Sequence, residues 1–222
     1  MSKQKLIETI ICLQSNYSAI EGIVSCSNSL QFFSLPKEQS SSLLIPTINE
    51  FLHKANSSID NVDCIIANQG PAPFTSLRTV IATVNGIAYA TGIPLVSVNG
   101  LKALLAEYTD KQKVTVALLN AFHKTVYYGI QTENTQEIGC LPIEQLLQTL
   151  KEKIAPLPIH FIGNGVKLYQ EKIIETFENA VIDTEIPMYC SIEQVMKIGY
   201  SSWQSKQNVH QQIEPLYLKK PI

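Results

Sequence analysis

The stretch NQGPAPFTSLR, Asn68 to Arg78, lies between an apolar run, CIIA (Cys64 to Ala67), and a long helical pattern. Strand, tight loop and helix start form the layout that holds a phosphate in many enzymes, where converging backbone N–H groups meet the anion. The residue types here argue against that chemistry. No Lys-Ser/Thr pair follows Gly70, and Pro71 and Pro73 each remove a donor. Gly70, Pro71, Phe74, Thr75 and Arg78 therefore read as a rigid structural turn that fixes how a strand feeds a helix. Arg78 is the only arginine, every other basic side chain being Lys. A site built for the guanidinium fork resists replacement by Lys, so Arg78 is held either for the fold or for a ligand or partner.

Other reactive side chains are dispersed. His53, His123, His160 and His210 are far apart, and no pair has the HExxH spacing of a metallopeptidase, so no metal site is expected. The GxSxG pattern of a serine nucleophile is absent. Cys12 and Cys64 lie in apolar runs, where a thiol packs as a small hydrophobe, and Cys140 has no base beside it. Five cysteines without a CxxC pair fit a reducing, cytoplasmic setting. His123, in AFHKTVYY, falls at a hairpin turn, and Glu175 and Glu178 lie one helical turn apart on a solvated face. No residue is assigned a catalytic role.

The elements that must position these residues follow from periodicity. Strands are expected at Lys5–Ser15, Tyr17–Cys26 and Ser29–Leu35, linked by short polar turns. A helix over Gln39–Ala55 places Leu44, Ile48 and Leu52 on one face; Leu43 and Ile45 widen it, and Pro46 marks a start or a bend. A strand at Val62–Ala67, a helix at Thr75–Thr91 stopped by Gly92 and Pro94, a strand at Leu95–Val98 and a helix at Leu101–Tyr108 follow. The first half thus reads β-β-β-α-β-α-β-α. Beyond it, strands are expected at Lys113–Leu119, Thr125–Gln131 and Ile159–Gly163, and helices at Ile143–Lys153, Val166–Phe177 and Ile192–Gly199, with EPLYLKK as an edge strand or an arm. The natural division falls near Asp110, giving lobes 1–110 and 111–222.

With 222 residues, 45% hydrophobic and 16% charged, the chain is globular and large enough for a substantial core. A net charge of −2 with scattered Lys argues against strong direct nucleic-acid binding, and no run is long enough to span a membrane. One pattern stands out on the second helix. Ala82, Gly86 and Ala90 are spaced by four, with Thr79 and Thr83 beside them. Glycine in a helix interior costs about 1 kcal/mol relative to alanine, a cost tolerated where another backbone must approach closely. That backbone could belong to the same domain or to another protein.

The segment Gly70 to Tyr108, GPAPFTSLRTVIATVNGIAYATGIPLVSVNGLKALLAEY, resembles the GPGSFTGLR…AKGLA…GIPLVGVSSLEALA segment of the TsaB (YeaZ) family without a gap. NAFHKTVYYGI, the GNG at Gly163 to Gly165 and Pro-x-Tyr-Leu at Pro215 to Leu218 are weaker echoes. The resemblance implies an α/β chain with the two-lobed ribonuclease H-like fold of the actin, hexokinase and Hsp70 ATPases, the second lobe reduced. It implies a non-catalytic scaffold for a TsaD-type transferase that makes threonylcarbamoyladenosine beside the tRNA anticodon, with a TsaE-type ATPase joining the pair. The partner-binding residues would be Leu44, Ile45, Ile48, Leu52, Thr79, Ala82, Thr83, Gly86 and Ala90 on the two helices, a surface also suited to a homodimer. No cofactor is expected on the chain alone; ATP, ADP or metal would enter only through the partner complex. The HxxxH pair of the TsaD paralogue has no counterpart. Several positions depart from the pattern. Leu13, Gln14 and Ser15 stand for Asp-Thr-Ser, Ala72 and Pro73 for Gly and Ser, Ser76 for Gly and Asn85 for Lys, and SSSLL stands where a His often begins the first helix. The lost Asp counts against the rival reading of a small-molecule kinase of this fold. A homodimeric interaction protein outside the tRNA pathway is the third reading.

Overall fold

The computed structural model describes residues 8–26, 29–109, 113–154, 157–183 and 185–219. In chain order these form β1 (Ile10–Ser15), β2 (Ala19–Cys26), β3 (Ser29–Pro36), α1 (Lys37–Lys54), β4 (Cys64–Asn68), α2 (Phe74–Thr91), β5 (Leu95–Val98) and α3 (Gly100–Tyr108). Then come β6 (Val114–Asn120), β7 (Thr125–Gln131), β8 (Gln136–Pro142), α4 (Ile143–Lys153), β9 (Ile159–Ile162), α5 (Asn164–Thr176), β10 (Ala180–Ile182), α6 (Ile192–Gln204) and β11 (Val209–His210). Two compact units result, one of Met1–Asn99 with Ile192–Leu216, the other of Gly100–Ser191 with Tyr217–Ile222.

The first unit is built on a sheet in the order β11-β5-β4-β1-β2-β3. β1 and β4 are parallel, wholly buried and central, as the unbroken runs IICLQS and CIIAN require of strands covered on both faces. β2 and β3 continue antiparallel as a meander to the edge. Alternation then sorts the side chains. Ile11, Leu13, Ile65 and Ala67 point to one face, where they pack with Leu44, Ile48 and Leu52 of α1 and Leu77, Val80, Ile81, Val84 and Ala88 of α2. On the opposite face α6 crosses so closely that a Cβ on Gly199 would overlap the Ile66 side chain.

The second unit has a sheet in the order β10-β9-β6-β7-β8. α4 and α5 cover one face through Leu146, Leu147, Leu150, Val166 and Ile173. α3 covers the other, with Leu105 against Gly129. Counted within each unit and leaving aside β11, the sixth strand at the edge of the first sheet, both sheets place their strands as fifth, fourth, first, second, third, so one topology occurs twice. The helix after the fifth strand is exchanged in both halves: α3 belongs to the second unit and α6 to the first.

That exchange corrects the expected lobes 1–110 and 111–222. The division falls at Asn99/Gly100, because α3 buries Leu101, Leu104 and Leu105 in the second unit, and Ile192–Leu216 returns to the first. Asp110 itself lies outside the described residues, as does the start of the expected first strand at Lys5. Three strands, β8 and the short β10 and β11, were not expected. Among the described residues no strand is formed over 214–219, which leaves the arm of the two expected alternatives; the strand pairing lies earlier, where Val209–His210 meets β5. α1 runs through Pro46 without a break.

Candidate functional site

α2 starts directly after the Gly70–Pro73 loop, and the structure shows where backbone donors at that loop go. The Gln69 N–H donates to the Val98 carbonyl at 2.9 Å, and the Gly70 N–H to Asn68 Oδ1 at 2.9 Å. Gly70 has φ +103°, a conformation that disfavours a side chain, and an added Cβ would lie 2.9 Å from the Leu77 side chain. Gly70 and Pro71 are buried. Phe74, Thr75 and Arg78 are exposed. The Arg78 guanidinium stacks on the Phe74 ring at 3.8 Å, which places a cation and an aromatic face together on the surface.

Helical geometry divides the rest of α2. Leu77, Val80, Ile81, Val84 and Ala88 fill the core, and the outward stripe is Ala82, Gly86 and Ala90, all exposed, with Thr79 and Thr83 half-buried beside it. Nothing lies within 4 Å of the position a Cβ would take on Gly86. Close packing within the same unit therefore does not account for the small residues. Tyr89, 95% exposed, stands next to the stripe. Sequence reading passed over it; its i+3 spacing from Gly86 was the available signal.

α1 packs beside α2. Its expected contribution to a partner surface needs correction. Leu44, Ile48 and Leu52 are 1%, 3% and 1% exposed and belong to the core, so their pattern reported the inner face of the helix. Ile45, 60% exposed, and Leu43, 40%, lie on the outside. The available apolar surface is thus Leu43 and Ile45 on α1 and Ala82, Gly86, Tyr89 and Ala90 on α2.

The far side of α2 is bounded by the C-terminal segment. α1 covers β2 and β3, whereas β11 pairs with β5 at the opposite edge, so α2 lies between α1 and the chain that follows β11. Asn85, which stands for the family's Lys, holds that chain. Its Nδ2 donates to the Ile213 carbonyl at 2.9 Å, and its Oδ1 accepts the Ile213 N–H at 3.0 Å.

A polar cluster sits where β1 and β4 end. Gln14 Nε2 donates to Glu21 Oε2 at 2.7 Å, and Asn68 Nδ2 to Gln14 Oε1 at 3.3 Å. Burial pushes the Glu21 carboxyl above its ordinary range, the Gln14 hydrogen bond opposes this, and nearby Glu193 adds to the rise. Leu13, matched above to the family's Asp, is wholly buried in the core; the polar residues at the strand end are Gln14 and Ser15. None of them supplies a carboxylate. Glu21, the acid of the cluster, is disfavoured as an anion and engaged by Gln14, so these side chains do not fit a metal–nucleotide pair.

In the second unit, His123 lies in the hairpin turn between β6 and β7, where Phe122, His123 and Lys124 all have positive φ. Gly163 opens α5 at φ +95°, and a Cβ there would land on the Leu118 carbonyl. Asn164 then accepts the Asn120 N–H at 2.8 Å. The GNG signature is a close backbone crossing of α5 over β6. Burial pushes the Cys64 thiol up to about 12, which removes it as a nucleophile. Among the described residues no group of three His, Cys, Asp or Glu side chains has metal-holding geometry, and no helix is long and apolar enough to cross a membrane.

A family model described as TsaD, tRNA N6-adenosine threonylcarbamoyltransferase, matches residues 34–221. A relative from Buchnera aphidicola subsp. Acyrthosiphon pisum, a tRNA threonylcarbamoyladenosine biosynthesis protein TsaB, is 28% identical over 62% of this chain and 56% of its own, so the match spans little more than half of that relative. The TsaB of Buchnera aphidicola subsp. Baizongia pistaciae is 24% identical over 80% of this chain and 82% of its own. Among solved structures, YeaZ from Pseudomonas aeruginosa superposes with a TM-score of 0.70 at 21% identity, covering 95% of this chain and all of that one. A Bacteroides thetaiotaomicron protein with an actin-like ATPase fold gives 0.52 at 8% identity, over 88% and 98% of the two chains. The twice-used topology is that of the two-lobed actin-like fold, and the chain belongs to the TsaD family and, within it, to the TsaB (YeaZ) branch of tRNA threonylcarbamoyladenosine biosynthesis proteins.

Proposed function

We propose that this chain is a non-catalytic, cytoplasmic scaffold that binds a TsaD-type transferase through the outer face of α2 and the exposed rim of α1, in the pathway that makes threonylcarbamoyladenosine in tRNA. The observation that carries the reading is the open stripe Ala82, Gly86 and Ala90. A glycine kept in a helix interior with nothing against it has no role in the isolated chain, whereas it admits the backbone of a partner helix. Lack of a suitable carboxylate where β1 ends supports a scaffold over a small-molecule kinase. A TsaE-type ATPase would join the pair, and ATP, ADP or metal would be held through the complex. Without the transferase, the same face pairs two copies of the chain, because an apolar surface of this kind favours cover.

The test is size-exclusion chromatography with light scattering, on the chain alone and mixed with the TsaD-type protein of its own organism. The expected result is a heteromer that Gly86→Leu abolishes while the variant keeps its native circular dichroism. A natural chain that ignores the transferase, or a Gly86→Leu variant that pairs normally, overturns the reading.

A further inference from the structure

We infer that Asn85 is a positioning residue of the docking face, holding the C-terminal strap Val209–Leu216 in place as the wall opposite α1; the inference rests on the docking reading above. The strap is fixed at three places. Val209 pairs with Val96 on β5, Asn85 grips Ile213, and the Leu216 N–H donates to the Gln69 carbonyl at 2.7 Å. The middle grip differs from the other two because one side chain makes two hydrogen bonds to a single peptide residue, whereas at the first place the His210 Nε2–Ser97 Oγ contact, 3.2 Å, only supplements backbone pairing. The Asn85 amide offers one donor and one acceptor in a plane and meets both polar groups of a single peptide residue, as a neighbouring strand would. Lys, the family's residue here, has donors only and cannot accept the Ile213 N–H. Ile213 is 3% exposed and packs into the cluster beneath α2, so the grip also sets how deeply the strap sits.

Asn85 precedes Gly86, and successive residues of a helix are about 100° apart. The strap therefore runs along the flank adjoining the small-residue stripe, on the side to which Tyr89 projects four residues later. A partner helix laid on Gly86 would have α1 on one side and the strap on the other. A strap that rises or shifts changes the width of that seat.

The experiment compares the natural chain with Asn85→Ala, Gly86→Leu and Ile23→Val, the last a control that loosens the core on the α6 side of the same sheet. Hydrogen exchange at the Ile213 amide is read on the free chain, and affinity for the TsaD-type subunit by titration. Asn85→Ala is expected to speed Ile213 exchange and to weaken pairing about tenfold, in line with loss of a two-bond contact. Ile23→Val leaves affinity unchanged at comparable loss of melting temperature. Unchanged exchange at Ile213, or faster exchange with unchanged affinity, overturns the inference. If Gly86→Leu alone loses pairing, the docking reading stands and the strap inference fails. If neither variant alters pairing, or the natural chain does not pair, both fail.

Discussion

Glu21 shows how a single carboxyl reports on the ends of β1 and β4. Burial is the main influence on it and raises its proton affinity in the folded chain above the ordinary value of 4.5, to which unfolding returns it. The folded state thus binds the proton more tightly than the unfolded state. Folding is penalised at any pH above the raised value, and the penalty fades as pH falls through that value towards 4.5. Glu21→Gln keeps the size of the side chain and an oxygen that can accept from Gln14 Nε2. The variant is expected to melt higher than the natural chain near neutral pH and to match it below 4.5. Thermal melts across that range check the sign; a variant that melts lower at neutral pH would show that the ionised carboxylate is a stabilising partner in the cluster. The same neighbourhood shows what sequence alone misjudges. Burial runs on unbroken from Leu13 through Gln14, Ser15 and Asn16, so the polar residues that close β1 are buried as deeply as the apolar ones before them, which their types did not announce. Ser15, also at this strand end, has a buried hydroxyl without a hydrogen-bond partner among the described residues.

α2 carries a conflict between stability and association, which makes it testable in two directions. Gly86 is exposed, helical and without a neighbour within 4 Å of an added Cβ. In the free chain, Gly86→Ala should therefore stabilise by up to about 1 kcal/mol, the helix-propensity difference, raising Tm by roughly 2–4 °C for a chain of this size. In the complex the added methyl stands between two helix backbones and should weaken pairing. Differential scanning calorimetry of the free chain and titration with the TsaD-type subunit give the two signs. A variant that is no more stable, or that binds as well, removes the reason given for the glycine. How far this helix could be read beforehand follows from the same residues. Its limits were legible because Gly92 and Pro94 punctuate its end, and its stripe because three small residues recur at a spacing of four. The direction of the stripe was not legible, since a small residue serves equally against a neighbour inside the fold and at an open surface. On α1 the difficulty was the reverse. Leu44, Ile48 and Leu52 gave a strong apolar face, and a strong apolar face is what the core selects; the surface residues Leu43 and Ile45 looked like its fringe. β8 escaped notice because QEIGCLP is a half-exposed edge strand with little alternation, and β10 and β11 because three and two residues carry no period.

Whole-chain architecture depends on contacts that no local pattern shows. Each half of the sequence runs through one βββαβαβα series, and each passes its last helix to the other half's sheet. A boundary drawn where the first series ends, near residue 110, cuts this exchange. It leaves the first sheet with α1 and α2 on one face and nothing on the other, exposing Ile66 and its neighbours where Gly199 of α6 should lie. It also removes Ile213 from the main cluster and the strap from α2. A bare face over the parallel strands β5, β4 and β1 is incompatible with independent folding, because these strands are buried along almost their whole length and need cover on both sides. A fragment of residues 1–110 is accordingly expected to give no cooperative thermal transition. Residues 1–99 joined by a flexible Gly/Ser linker to 192–216 restore α6, β11 and the strap, and are expected to melt cooperatively. Calorimetry on the two polypeptides decides the point. Cooperative melting of the shorter fragment would mean that α1 and α2 alone define the unit and that α6 is an accessory; failure of the linked polypeptide would mean that the first unit needs the second in order to fold. The expected outcome has a consequence for the docking face: α2 is held from below by a core that the distant end of the chain completes, through Ile213.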